Sequence, residues 1–372
     1  MEPTIDAIEC HVFRAPIDVP VANAFGAMTN RPAVFLRVGA SDGAWGWGEV
    51  FCNFPQVGAE HRARLARTIF APLLARAPCL PGAIASLLEQ RTRRLAIQCG
   101  EPGPFAQIAA AIDQALWDMA ARRAGVPLWR LLGPAASRVK VYASGLGPHG
   151  AVEAAMRKRA EGFRAFKLKV GFAPERDVAN LRELRAAVGR GTPVMLDANQ
   201  AWAPDEAVRR IAELAPFEPY WIEEPIAADE PASAWRDLHS RSDVPLAAGE
   251  NIRGRDAFAT AIDGGWLRFV QPDVGKWGGI SGCRDVAARA AQRNVTCCPH
   301  WLGGGVGLAA TLHFIAAFGT QESYAEVDAN PNPLREAVWS MKLDDGVVTL
   351  GAAPGIGVEP DLVRLRPFAV AS

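Results

Sequence analysis

Residues 165–171 read AFKLKVG, residues 193–199 PVMLDAN, residues 219–225 PYWIEEP and residues 244–251 VPLAAGEN. Each is a short apolar run that stops at acidic or basic residues. Between them lie stretches rich in Ala and Arg, long enough for one helix. Strands alternating with helices predict parallel βαβ units. The same texture covers the chain from residue 139 onward, with strand candidates at Val139–Ser144, Ala165–Val170, Pro193–Ala198, Tyr220–Glu223, Pro245–Gly249, Leu267–Pro272, Val295–Pro299 and Glu322–Glu326. Eight such units point to a closed barrel, which needs roughly 250 residues.

The first third is different. Ile8, Cys10 and Val12 alternate with polar neighbours, as do Val34, Leu36 and Val38. Ser41-Asp42-Gly43 then reads as a hairpin turn, followed by Trp45 and Trp47 at period two. Asp18 to Asn30, rich in Pro, Ala, Asn and Gly, reads as a mobile surface loop. Ile108, Ile112, Leu116 and Met119 lie on one helical face, and Gly125-Val126-Pro127 stops that pattern. The expected divisions are an α+β domain over residues 1–133, a barrel over 134–330 and a C-terminal segment over 331–372. Asp344-Asp345-Gly346 in that segment reads as a hairpin turn, and the segment is expected to return to the first domain.

Composition narrows the function. The chain has 372 residues with 40 basic and 40 acidic side chains, so no net charge favours nucleic acid or an anionic membrane. The seven cysteines form no CxxC pair, which fits a reduced cytoplasm. The N-terminus has no apolar signal region, and the longest apolar stretch, near Leu308 to Phe318, is too short to span a bilayer. A cytoplasmic enzyme of small molecules is the expectation.

The strand ends carry the chemistry. Lys167, Lys169, Asp197, Asn199, Glu223, Glu250, Asp273, His300 and Glu326 follow one another at about one strand–helix unit each, which predicts a ring at one mouth of the barrel, where barrel active sites lie. Asp197, Glu223 and Glu250 fall on three consecutive strands. Three converging carboxylates repel one another unless a cation lies between them, and Mg²⁺ suits hard oxygen ligands with open positions. One such carboxylate alone would read as a solvated strand end. Lys167 and Lys169 point the same way, and with Lys167 and a cation nearby the pKa of Lys169 should fall, making it a base. Asp273 beside His300 would fix its tautomer and support its protonated form. Glu326 would share a proton with a developing oxyanion. Trp301, Trp277 and Trp202 follow strand ends and are read as pocket walls. Gly303-Gly304-Gly305-Val306-Gly307 departs from GxGxxG, so it reads as a tight turn bringing backbone to the substrate, with a phosphate cradle as the minor reading.

Taken together, Phe166-Lys167-Leu168-Lys169, Asp197-Ala198-Asn199, Trp221-Ile222-Glu223-Glu224-Pro225, Gly249-Glu250-Asn251, Gln271-Pro272-Asp273 and Pro299-His300 resemble the mandelate racemase subgroup of the enolase superfamily. Ala115-Leu116-Trp117-Asp118, with Pro127 to Gly133, resembles the helix ahead of that barrel. The resemblance implies an N-terminal capping domain over a modified (β/α)7β barrel. It implies Asp197, Glu223 and Glu250 as Mg²⁺ ligands, Lys169 and the His300–Asp273 pair as acid and base, and Lys167 and Asn199 on the substrate. Glu326 would stabilise an enediolate. Asp18 to Asn30 would be the lid, with a second loop at Phe51 to Gln56. Dimers or octamers are the family habit. The expected reaction is proton abstraction beside a carboxylate, leading to dehydration of an acid sugar. Racemisation or epimerisation and lactone cycloisomerisation use the same residues. Two other classes remain as contrasts: a barrel that binds ligand or metal without catalysis, and a phosphate-dependent aldolase with a Schiff-base lysine.

Overall fold

The computed structural model describes residues 2–23, 25–55, 57–133 and 136–370. Three antiparallel strands open the chain: β1 (Ile5–Asn23), β2 (Gly26–Ala40) and β3 (Trp45–Val50), in the order β1-β2-β3. The helix Pro102–Arg123 lies across β3 and buries Ile108, Ile112, Leu116 and Met119 completely. Its close approach depends on Gly46 and Gly48, where an added Cβ would come within 2.0 Å of the Ala115 and Ala111 carbonyl oxygens.

Asp18 to Asn30 is not an irregular loop. Val21, Ala22 and Asn23 pair with Met28, Ala27 and Gly26, so the segment is the far end of the β1–β2 hairpin, with a register shift between Pro16 and Val21. Prolines signalled a loop, but β1 is an edge strand and tolerates their missing N–H groups. Ala24, in the first predicted loop, and Gln56, in the second, lie outside the described residues.

The barrel strands are β4 (Arg138–Leu146), β5 (Phe166–Lys169), β6 (Val194–Asp197), β7 (Ile222–Glu223), β8 (Leu246–Ala248), β9 (Phe269–Val270), β10 (Thr296–Cys297) and β11 (Ala325–Asp328). All consecutive pairs from β4 to β10 are parallel, and β11 pairs with β4. Between β10 and β11 the contacts include Tyr324 N–H to Cys298 Sγ at 3.4 Å and Thr296 Oγ1 to Glu322 at 3.2 Å. Seven helices alternate with the eight strands and the last strand has none in the ring, which is a (β/α)7β barrel. Below the charged mouth, Tyr142, Met195, Trp221, Phe269 and Cys298 fill the interior, with the Trp221 and Phe269 rings 4.9 Å apart.

Strands β12 (Leu343–Asp344) and β13 (Val347–Thr349) form the hairpin around Asp345 and Gly346, both with positive φ, and β13 pairs antiparallel with β4. The chain then reaches the first domain. Ile356 N–H donates to Asp118 at 2.7 Å and Val370 N–H to the Val12 carbonyl at 2.9 Å. Among the described residues no helix is long and apolar enough to cross a membrane. All seven cysteines are free.

Candidate active site

Strand register sets the first half of the site. Lys169 pairs with Asp197 and Asp197 with Glu223, so these three stand at one level across β5, β6 and β7. Glu250, Asp273 and His300 lie just past the ends of β8, β9 and β10, and Glu326 is inside β11. All seven are buried.

Ion pairs knit the ring together. Lys167 Nζ is 2.8 Å from Glu223 and 2.8 Å from Glu326. Lys169 Nζ is 2.5 Å from Asp197 and 2.8 Å from Asn199 Oδ1. His300 Nδ1 lies 2.5 Å from Asp273, and its Nε2 lies 2.5 Å from Glu250 and 3.8 Å from Glu326. Lys169 and His300 therefore approach from opposite sides, Lys169 through Asp197 and His300 through Glu250. Ser144 Oγ donates to Glu326 Oε1, the same oxygen that faces Lys167.

Burial and neighbours divide the protons. Burial opposes both lysine ammoniums, yet the pKa of Lys167 is held well above its ordinary value by Glu223 and Glu326. Burial is the largest influence on Lys169 and opposes its charge, yet its pKa is raised as well, because the attractions of Asp197, Glu223 and Glu250 together outweigh burial and the repulsion of Lys167. The fall expected from sequence belongs to a site that holds a cation beside Lys167; with Asp197 2.5 Å away and facing the ammonium, the carboxylates set the direction. Burial pushes Glu223 up to about 7 despite Lys167. Glu224, behind the ring, is pushed up to about 8 by burial and by Glu250. Burial is the larger cause in both, whereas Asp197 is held low against burial by Lys169 and Lys167, and Glu250 by His300 and Lys276.

The three expected metal ligands are close enough to perturb one another, but no three acidic, histidine or cysteine groups among the described residues stand clear as a preassembled metal cluster. Lys167, Lys169 and His300 stand among them. The donor type, buried carboxylate oxygens on neighbouring strands, is nonetheless the one a hard divalent cation takes.

Other residues expected at the substrate are engaged with protein partners in this structure. Lys167, expected on the substrate, is 0% exposed and enclosed by Glu223 and Glu326. Asn199, also expected there, spends its carbonyl on Lys169 and its amide on Asp197. Trp301, expected as a pocket wall, is buried. Its indole N–H donates to the Gly304 carbonyl at 3.1 Å, and the ring lies where side chains on Gly303 and Gly307 would be. The glycine turn is not a phosphate cradle either. Glu49 of β3 accepts the amides of Gly304 and, at 2.9 Å, Gly307.

Sequence reading overlooked several residues. Glu49 reaches from the first domain into the loop after His300, and Asn53 Nδ2 donates to the Leu302 carbonyl at 2.5 Å. Gln271 donates to Glu223 at 2.6 Å. Lys276 lies 3.6 Å from Glu250 and donates to Asn251 at 2.8 Å. Glu49 had a usable signal: it occupies the face of β3 shared by Trp45 and Trp47, a poor place for a free carboxylate.

Comparison with known proteins agrees with this geometry. Residues 7–133 match the mandelate racemase/muconate lactonizing enzyme N-terminal domain, and residues 150–364 the enolase C-terminal domain-like family. A crystal structure of a mandelate racemase/muconate lactonizing enzyme from Bordetella bronchiseptica RB50 shares 48% identity, with a TM-score of 0.92 and 99% of each chain covered. D-galactarolactone cycloisomerase of Agrobacterium fabrum is 30% identical, over 98% of both chains. An L-talarate/galactarate dehydratase variant, crystallised with Mg and L-glucarate, is 26% identical with a TM-score of 0.87, covering 100% of this chain and 93% of that one.

Proposed function

Since the chain belongs to the mandelate racemase/muconate lactonizing enzyme group of the enolase superfamily, we propose that it is a Mg²⁺-dependent enzyme that removes the proton beside the carboxylate of a sugar acid and then expels a neighbouring oxygen substituent. The carrying observation is the pair of opposed proton carriers, Lys169 and His300, held on either side of one set of buried carboxylates. Asp197, Glu223 and Glu250 would hold the ion. Bound there, it supplies a Lewis acid that neutralises the substrate carboxylate and makes the adjacent proton removable.

The chain's own groups do the rest. Lys169 acts as the neutral amine, which requires Asp197 to be drawn off its ammonium; Nζ then takes the proton from the carbon beside the carboxylate, and the electron pair moves into the carboxylate to give an enediolate. Glu326, held by Lys167 and Ser144, stands beside the oxygen that gains charge. His300, oriented by Asp273, delivers a proton from Nε2 as the electron pair returns and the bond to the neighbouring oxygen breaks. If that oxygen is a hydroxyl, water leaves and the reaction is a dehydration. If it is a lactone ring oxygen, the ring opens, a reading favoured by the similarity to the galactarolactone cycloisomerase. The lysines and carboxylates face each other in ion pairs, an arrangement that supports acid–base work rather than a Schiff base.

The proposal extends to a cytoplasmic setting, supported by seven free cysteines, and to a homodimer or octamer by family habit. The test is incubation with Mg²⁺ and a panel of sugar acids in D₂O. Deuterium at the carbon beside the carboxylate, or a keto-deoxy product, is the expected result. Absence of both across the panel would refute the assignment.

A further inference from the structure

Gln114 is a polar side chain with no exposure, set in the helix Pro102–Arg123 among Ala111, Ile112, Ala115 and Leu116. A buried amide costs stability unless its hydrogen bonds are made. Gln114 makes them outside its own helix. β3 is an edge of the capping sheet, and Gln114 pairs with that edge as a further strand would. The Glu49 N–H donates to its Oε1 at 3.2 Å, and its Nε2 donates to the Glu49 carbonyl at 3.3 Å. The same Nε2 reaches the barrel and donates to the Val274 carbonyl at 2.8 Å.

Val274 follows Asp273, just past β9. Its carbonyl and the Gly275 N–H belong to one peptide unit, which is planar and rigid. The Gly275 N–H donates to Asp273 Oδ1 at 2.7 Å, and Asp273 Oδ2 lies 2.5 Å from His300 Nδ1. Holding the carbonyl end of that peptide therefore sets its N–H end, the Asp273 carboxyl and the imidazole in turn. A second branch runs through Glu49. Gln114 holds its backbone, and its carboxyl accepts the Gly304 and Gly307 amides that follow His300. Trp301, next to His300, joins the two branches. Its ring lies against Gly275, where an added Cβ would come within 2.5 Å, and its N–H donates to the Gly304 carbonyl. Lys169, Asp197 and Glu223 are placed differently, by strand register across β5, β6 and β7.

We propose that Gln114, from the capping domain, is a positioning residue for the His300–Asp273 pair, required for expulsion of the leaving oxygen but not for removal of the first proton. The inference rests on the proposed division of labour between Lys169 and His300. Gln114 acts through Asp273 and Glu49, so its effect belongs to the kcat of product formation and not to KM.

The experiment uses the Mg²⁺-loaded protein in D₂O with the sugar acid on which the wild type is most active. Deuterium in recovered substrate is measured beside product. Gln114→Met keeps the volume and removes the amide. A small displacement of a catalytic group costs up to about 100-fold, so product formation should fall by about 10- to 100-fold, while deuterium incorporation and KM each stay within about 3-fold. Gln114→Glu keeps the shape and the acceptor for Glu49 but has at most one proton for the two carbonyls. It should shift the partition in the same direction, and it is the variant to read if circular dichroism shows the methionine variant unfolded. Trp117→Phe is the control. It removes another bond from the same helix to the barrel, Trp117 Nε1 to Ser281 Oγ at 2.8 Å, and should keep the wild-type partition. Product and exchange falling together in the folded Gln114 variants, an unchanged partition, or an equal shift in Trp117→Phe each overturns the role of Gln114, while wild-type turnover leaves the proposed chemistry standing. Failure of both Gln114 variants to fold would make the residue structural alone and overturns the role as well. A wild type that neither exchanges nor converts any acid defeats the chemistry itself and this inference with it.

Discussion

Glu49, on the last strand of the capping sheet, accepts the backbone amide of Gly307 at 2.9 Å, in the first turn of the barrel helix Gly305–Phe318. The same carboxyl accepts the amide of Gly304. One domain thus supplies the N-terminal cap for a helix of the other. The cap is tied to the loop that carries His300.

Glu49→Ala would leave two buried amides unpaired. Each costs about 1–3 kcal/mol, so a loss of roughly 2–6 kcal/mol is expected in a urea titration. Glu49→Gln retains one acceptor and should lose less. An unchanged midpoint for the alanine variant would show that the helix start does not depend on this bridge.

Two buried groups give stability opposite slopes with pH. Burial pushes Glu49 up to about 7 and pushes His313 down to about 4. For Glu49 the folded pKa is above the unfolded 4.5, so its contribution is fully present below pH 4.5 and is lost as pH rises through about 7. For His313 the folded pKa is below the unfolded 6.5, so its contribution is present above 6.5 and is lost as pH falls through about 4. Each spans up to roughly 3 kcal/mol, and the two offset each other between pH 5 and 6.5. Glu49→Gln should therefore make the protein more acid-sensitive, and His313→Gln less so, in denaturation midpoints at pH 5 and 7. Shifts of the reverse sign would contradict the burial argument.

Lys169 and His300 should fail differently. Lys169→Met is expected to reduce deuterium incorporation by about 100-fold or more. His300→Asn should continue to incorporate deuterium while releasing little keto-deoxy product. If Lys169→Met exchanges at the wild-type rate, the lysine is not the base.

Metal binding has a readout independent of turnover. Mg²⁺ at about 100 times its Kd should stabilise the fold by roughly 2.7 kcal/mol. Glu223→Gln and Glu250→Gln should abolish that rise in Tm, and EDTA should stop deuterium exchange in the wild type. A Tm that rises equally in these variants would place the ion elsewhere.

The barrel and its ring were legible because both depend on local pattern. A strand ending in Asp197 and another ending in Glu223 are each visible within a few residues, and the unit spacing aligns them. Contacts that cross between domains were not legible. Glu49 meets Gly307 across 258 positions and Arg31 meets Asp328 across 297. No periodicity reports such pairs; only the odd placement of a charge on an inward strand face hints at one. The hairpin read as a loop failed for a related reason, since an edge strand hides its prolines from a rule written for central strands. The ion pair of Lys169 with Asp197 was not legible either, because it depends on their register, which sequence spacing alone did not supply.

The tie between Val370 and Val12 has a consequence for how the chain matures on the ribosome. β1 is among the first segments to emerge, but the residue that completes its outer edge is made about 350 positions later. The β1–β2 hairpin therefore settles against its last neighbour only after the whole barrel has been translated. A nascent polypeptide stalled before that point would carry the complete ring of charged strand ends and still lack a finished first sheet.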